Sequence, residues 1–121
     1  MAKNILVVDD DGMVTRSLCG LLKKSGYSAE ASGNGFDAIE KVQDTHIDLI
    51  VIDLRMPGMD GVQTVKRIKE ILKSRNRADI PVIFITGFAE SDLHLEAKGL
   101  GKVFIKPLDN KDLLEGIEEY I

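Results

Sequence analysis

The chain is short of several things, and each shortage removes a class of function. A single cysteine, Cys19, rules out an internal disulfide, and no paired Cys/His spacing suggests a zinc site. No apolar run exceeds six residues, far below what a membrane span needs. Positive charge is not in excess: 16 Lys+Arg stand against 20 Asp+Glu, a net charge of −4, so the basic field of a general nucleic-acid binder is missing. The opening residues, Met1-Ala2-Lys3-Asn4, enter an apolar run at once, without a signal-peptide layout, and the expected address is the cytosol. What is present is the material of one soluble domain spanning residues 1–121, 44% hydrophobic and 30% charged.

Four short runs are apolar at every position and rich in β-branched residues: Ile5–Val8, Leu49–Ile52, Val82–Ile85 and Val103–Ile105. Strands covered on both faces look like this, as in a parallel sheet sandwiched by helices. A weaker alternating run, Tyr27 to Ala31, predicts an outer strand. Between the runs lie stripes of helical period. Val14, Leu18, Leu21 and Leu22 form the first, with Gly26 as terminator; Ala38, Ile39 and Val42 the second; Val62, Val65, Ile68, Ile71 and Leu72 the third. Leu93 and Ala97, closed by Gly99, form the fourth, and Leu113, Leu114 and Ile117, capped by Asp109, the fifth. Five strand–helix units with right-handed crossovers predict an α/β fold: a doubly wound, five-stranded parallel sheet of order 2-1-3-4-5, flavodoxin-like.

In such sheets chemistry gathers at the carboxyl ends of the strands. Strand 1 ends in Asp9-Asp10-Asp11, strand 3 in Asp53, strand 4 in Thr86-Gly87 and strand 5 in Lys106-Pro107. Carboxylates brought this close repel, so one must take a proton or the group must gain a cation. A hard divalent ion such as Mg²⁺ with oxygen ligands is the natural solution. Carboxylates, a metal, an ammonium and a hydroxyl together suit a phosphoryl group, and the inferred reaction is formation of an aspartyl phosphate.

With these motifs in place, Ile5–Asp11, Asp53–Gly61, Thr86-Gly87 and Lys106-Pro107, the sequence resembles the receiver domains of two-component response regulators, single-domain chemotaxis-type regulators included. The resemblance runs from about Lys3 to Glu119 and implies roles residue by residue. Asp53 is then the phosphate acceptor. Asp10 binds Mg²⁺ with Asp9 beside it, and Asp53 and the backbone carbonyl of Arg55 complete the metal's protein ligands. Thr86 bonds the phosphoryl oxygen and Lys106 pairs with it. The resemblance further implies a histidine kinase or phosphotransfer protein upstream and an effector protein downstream, with no direct nucleic-acid or membrane partner. Three departures stand out. Val103 occupies the position, three before the strand-5 lysine, where the family usually has Tyr or Phe. Phe104, next to it, must face the other side of the sheet. Arg55 and Phe88 stand where the family controls the approach of water to the phosphoaspartate, and no output domain is expected after residue 121.

Plainer readings compete at each position. The acidic run after strand 1 also suits a helix cap, and Pro57-Gly58 and Asp60-Gly61 are turn chemistry whatever the function. Cys19 is expected to pack, and His46 and His94 to lie on the surface. The cations around helix 3 from Lys66 to Arg77 are expected to form a solvated face. A haloacid-dehalogenase-type phosphatase would use Asp9 as nucleophile, but Met13 and the short chain speak against it. A flavin phosphate at the first helix would be repelled by the three aspartates.

Overall fold

The computed structural model describes residues 2–87 and 92–121. Its elements alternate as expected: β1 (Asn4–Val8), α1 (Gly12–Lys24), β2 (Ser28–Ser32), α2 (Gly35–Asp44), β3 (Leu49–Asp53), α3 (Gly61–Ser74), β4 (Val82–Thr86), α4 (Asp92–Lys98), β5 (Lys102–Ile105) and α5 (Asn110–Tyr120). The sheet has the order β2-β1-β3-β4-β5, and every pairing is parallel.

Three of the four strands that read as apolar throughout are buried throughout; β5, at the edge of the sheet, is only partly covered, and Ile105 is 38% exposed. Residues 5–8, 49–52 and 82–85 lie almost wholly out of solvent. Alternate side chains feed two cores. Leu6, Val8, Ile50, Ile52, Val82 and Phe84 pack under α2, α3 and α4, while Ile5, Val7, Leu49, Val51, Ile83 and Ile85 pack under α1 and α5. Burial on this scale, at about 25 cal/mol per Å² of apolar surface, is what holds the layers together.

The helix ends follow the expected chemistry. Asp11 caps α1, its carboxylate accepting from the Met13 N–H, and Gly26 closes the same helix at φ 96°. Asp109 caps α5. Asp60 and Gln63 form a reciprocal capping box at the start of α3. Strand β2 begins at Ser28, one residue later than the alternating run suggests.

One surface expectation is overturned. His94 is 8% exposed, on the inner side of α4 with Ala97, three residues along. Leu95, 68% exposed, faces outward instead. Ala97 lies in the core and Leu93 packs against it, as the stripe predicts, and His94, beside Leu93, shares that covered side of the helix. His46 does lie at the surface, paired with Asp48 at 2.8 Å. Cys19 packs against the core beside α1 and α5, as expected, and burial raises its thiol pKa. Phe88 lies outside the described residues.

Candidate functional site

Strand register decides which side chains meet. Val8 pairs with Ile52, so the following residues, Asp9 and Asp53, leave the sheet at one level. Asp53 pairs with Ile85, which sets Thr86 one step beyond it, and Thr86 pairs with Ile105, immediately before Lys106. The Lys106 N–H also donates to the Thr86 carbonyl at 2.7 Å, fastening the two strand ends together. Four stretches far apart in sequence therefore converge on one corner of the sheet.

The side chains complete the convergence. Carboxylate oxygens of Asp9, Asp10 and Asp53 all lie within 4.8 Å of one another. Lys106 Nζ stands 3.5 Å from Asp9 Oδ2 and 3.9 Å from Asp53 Oδ2. Asp9 is buried, Asp53 is half-buried, and Asp10 is open to solvent. Thr86 is fully buried at the end of β4. Arg55, two residues beyond Asp53, is exposed. Every residue singled out for the metal or the phosphoryl group thus lies in or beside this corner; His46 and His94 are not part of the carboxylate cluster.

The three consecutive aspartates divide their labour. Asp11 is the helix cap, and its own N–H donates to Asp9 Oδ1 at 2.9 Å. Asp9 Oδ2 faces Lys106. The cap reading of the acidic run therefore belongs to Asp11, while Asp9 stands in the cluster with Lys106.

Electrostatically the site is short of positive charge. Burial raises the Asp53 carboxyl pKa above its ordinary value. The Lys106 ammonium opposes this, the Asp9 carboxylate adds to it, and the N–H groups of Arg55 and Leu54 favour the ionised form. One ammonium shared among three carboxylates leaves room for a further cation. The donor set is all hard oxygen, which fits Mg²⁺ and not a soft metal.

A glycine that sequence reading treated only as turn chemistry proves essential to this geometry. A Cβ on Gly61 would sit 2.3 Å from the carbonyl oxygen of Asp53. The Gly61 N–H in turn donates to the Leu54 carbonyl at 2.8 Å. The start of α3 is thereby pressed against the end of β3, and the loop from Leu54 to Asp60 closes tightly behind the Asp53 carboxylate. The signal lay in Asp60-Gly61, but its meaning is a close approach and not a turn.

Comparison with known proteins agrees with this geometry. The family model described as "Response regulator receiver domain" matches residues 5–118. Sporulation initiation phosphotransferase F of Bacillus subtilis is 33% identical over 123 residues, covering 100% of this chain and 95% of that protein. Response regulator receiver protein CpdR of Brucella abortus is 36% identical over 121 residues, covering 98% and 97%. The solved structure of chemotaxis protein CheY4 from Vibrio cholerae superposes with a TM-score of 0.88 at 24% identity, covering 100% of both chains, a likeness of fold. The chain belongs to the response regulator receiver domains, the phosphoacceptors of two-component signalling.

Proposed function

We propose that residues 1–121 act as one receiver domain phosphorylated on Asp53, with Asp9, Asp10, Asp53 and the backbone carbonyl of Arg55 holding Mg²⁺. The observation that carries this reading is the meeting of three carboxylates with Lys106 at the ends of β1, β3 and β5. When bound, Mg²⁺ would neutralise the carboxylates and phosphoryl oxygens that otherwise repel. A carboxylate oxygen of Asp53 attacks phosphorus, the P–N bond of a donor phosphohistidine breaks, and the imidazole leaves. Lys106 balances charge on the transferred group, and the Thr86 hydroxyl donates to one of its oxygens. The domain thus promotes its own modification without turning over a substrate. A cytoplasmic sensor histidine kinase or phosphotransfer protein supplies the phosphoryl group. The modified surface changes its affinity for a downstream effector protein.

The experiment is labelling by acetyl phosphate with and without Mg²⁺, followed by mass spectrometry of the trapped phosphoprotein. Label is expected on Asp53, lost in Asp53→Asn and strongly reduced in Asp10→Ala or excess EDTA. Labelling that survives Asp53→Asn but not Asp9→Asn would assign the site to the phosphatase-type chemistry instead.

A further inference from the structure

Three helices of this fold open with the same pair, a capping residue followed by glycine. Asp11-Gly12 opens α1, Asn34-Gly35 opens α2 and Asp60-Gly61 opens α3. Each cap side chain accepts a backbone N–H of its own first turn, and Asn34 Oδ1 accepts from the Asp37 N–H at 2.8 Å. Only the second of these caps is an amide. Of the four asparagines, Asn4, Asn34, Asn76 and Asn110, it alone precedes a glycine. That glycine is not free to change: a Cβ on Gly35 would fall 2.2 Å from Thr64 Oγ1 and 3.1 Å from Met59 Sδ, and Thr64 is wholly buried.

Packing of α2 on α3 therefore imposes Asn-Gly at an exposed turn, with Asn34 open to solvent. An asparagine loses its side-chain amide when the next residue's amide nitrogen, deprotonated by hydroxide, attacks the side-chain carbonyl carbon. The new C–N bond closes a five-membered imide, the bond to Nδ2 breaks and ammonia leaves. Water then opens the imide on one of two sides, giving aspartate or a β-linked isoaspartate. A side chain on the attacking residue hinders the ring, and Gly35 has none. Asp11 and Asp60 would have to expel oxide from an ionised carboxylate, so the same step is far harder there. The fold opposes it at Asn34 as well. With Oδ1 committed to the Asp37 N–H and the backbone extended at φ −162° and ψ 169°, the first turn must open before the side chain can close on the Gly35 nitrogen.

We propose that Asn34 is a site of spontaneous deamidation, gated by opening of the first turn of α2, whose two products act in opposite directions. The aspartate product keeps an oxygen for the Asp37 N–H and adds negative charge at a helix N-terminus, so the cap survives. The isoaspartate product carries an extra methylene in the main chain. Its carboxylate sits one carbon nearer the backbone and no longer meets the Asp37 N–H as the cap does. The lengthened chain also no longer fits the close approach of Gly35 to Thr64 and Met59. Met59 belongs to the loop behind Asp53, so the misfit falls next to the carboxylate corner.

The test incubates the folded protein at mildly alkaline pH and follows, by peptide mapping, the mass gained as water replaces ammonia. The gain is expected at Asn34 ahead of Asn4, Asn76 and Asn110. It should run about fivefold or more slower than in an unstructured peptide of residues 31–38, and speed up in denaturant below the global unfolding transition. Asn34→Ser keeps a cap oxygen and should remove the dominant gain without loss of stability. Asn34→Asp should unfold at the same temperature as the aspartate product. The isoaspartate product, separated by chromatography, should unfold at a lower temperature and shift the amide resonances of Met59 and Thr64. A gain centred on another asparagine, or none at Asn34 over many half-lives of the peptide, would overturn the proposal. So would a folded chain that reacts as fast as the peptide, indifference to denaturant, or an isoaspartate product as stable as Asn34→Asp.

Discussion

Asp53 carries opposed influences, and their balance has a measurable sign. Because burial raises its pKa in the folded chain, that chain holds the proton to higher pH than the unfolded chain does. Stability contributed by this group is therefore present below about pH 4, where unfolded carboxylates protonate, and is lost as pH rises through the folded-state value. In the absence of divalent cations, Asp53→Asn should unfold at a higher temperature than the parent at neutral pH, with the gap closing below about pH 4. Thermal unfolding followed across pH checks this, and a less stable Asn variant at neutral pH would refute it. Gly61→Ala tests the neighbouring constraint, since the added methyl meets backbone that cannot swing aside. It should cost roughly 2–3 kcal/mol in denaturant unfolding, and a variant as stable as the parent would show that β3 and α3 can part. Asp9, Asp10, Asp53, Thr86 and Lys106 were legible in the sequence because each ends a strand whose neighbours the topology names. Gly61 was not, because a close approach between a helix start and a strand end leaves no local pattern. His94 was misplaced because a polar residue was expected outside, although its place beside Leu93 puts it on the side of α4 that Ala97 buries.

Elements bear unequal shares of the fold's rigidity. Helix α3 runs fourteen residues with a complete capping box and six buried positions, whereas α4 has seven residues and two. Removing the α3 box with Asp60→Ala should cost about 1 kcal/mol, read from the denaturation midpoint. The strand beside α4 explains why the usual aromatic has no simple substitute. Val103 packs toward the α2–α4 side, while Phe104 packs toward α1 and α5, its ring 3.0 Å from where a Cβ on Gly116 would stand. Alternation along β5, visible in the sequence, thus commits Phe104 to the far core. Without a ring to swing at position 103, the response to phosphorylation should fall on α4. Amide exchange with and without beryllium fluoride should change across residues 92–98 and little across 102–105. The reverse pattern would show that β5 carries the change. In the adjoining loop, residues 88–91 lie outside the described residues.

The whole molecule gathers like charges at one corner, and folding has to overcome the repulsion that results. Mg²⁺, on the proposed assignment, binds the assembled corner and not the separated strands, so it should stabilise the fold by mass action. At ten times its dissociation constant the gain is about 1.4 kcal/mol. Asp10→Asn should be more stable than the parent in EDTA yet gain nothing from added Mg²⁺; an undiminished Mg²⁺ effect in that variant would remove Asp10 from the ligand set. Sheet order was legible because five strand–helix units with one crossover hand leave few arrangements. The cations around α3 were visible too, but how they pair depends on partners as distant as Glu96 and Gln43. The all-parallel sheet has a practical corollary. Each helix returns the chain to the edge where the strands begin, so β1 starts and α5 finishes at that same edge, away from Asp53. A dye, a surface tether or a fusion partner joined at either terminus leaves the carboxylate corner facing solution, and joining the two ends would open new termini in a surface turn without crossing the pocket.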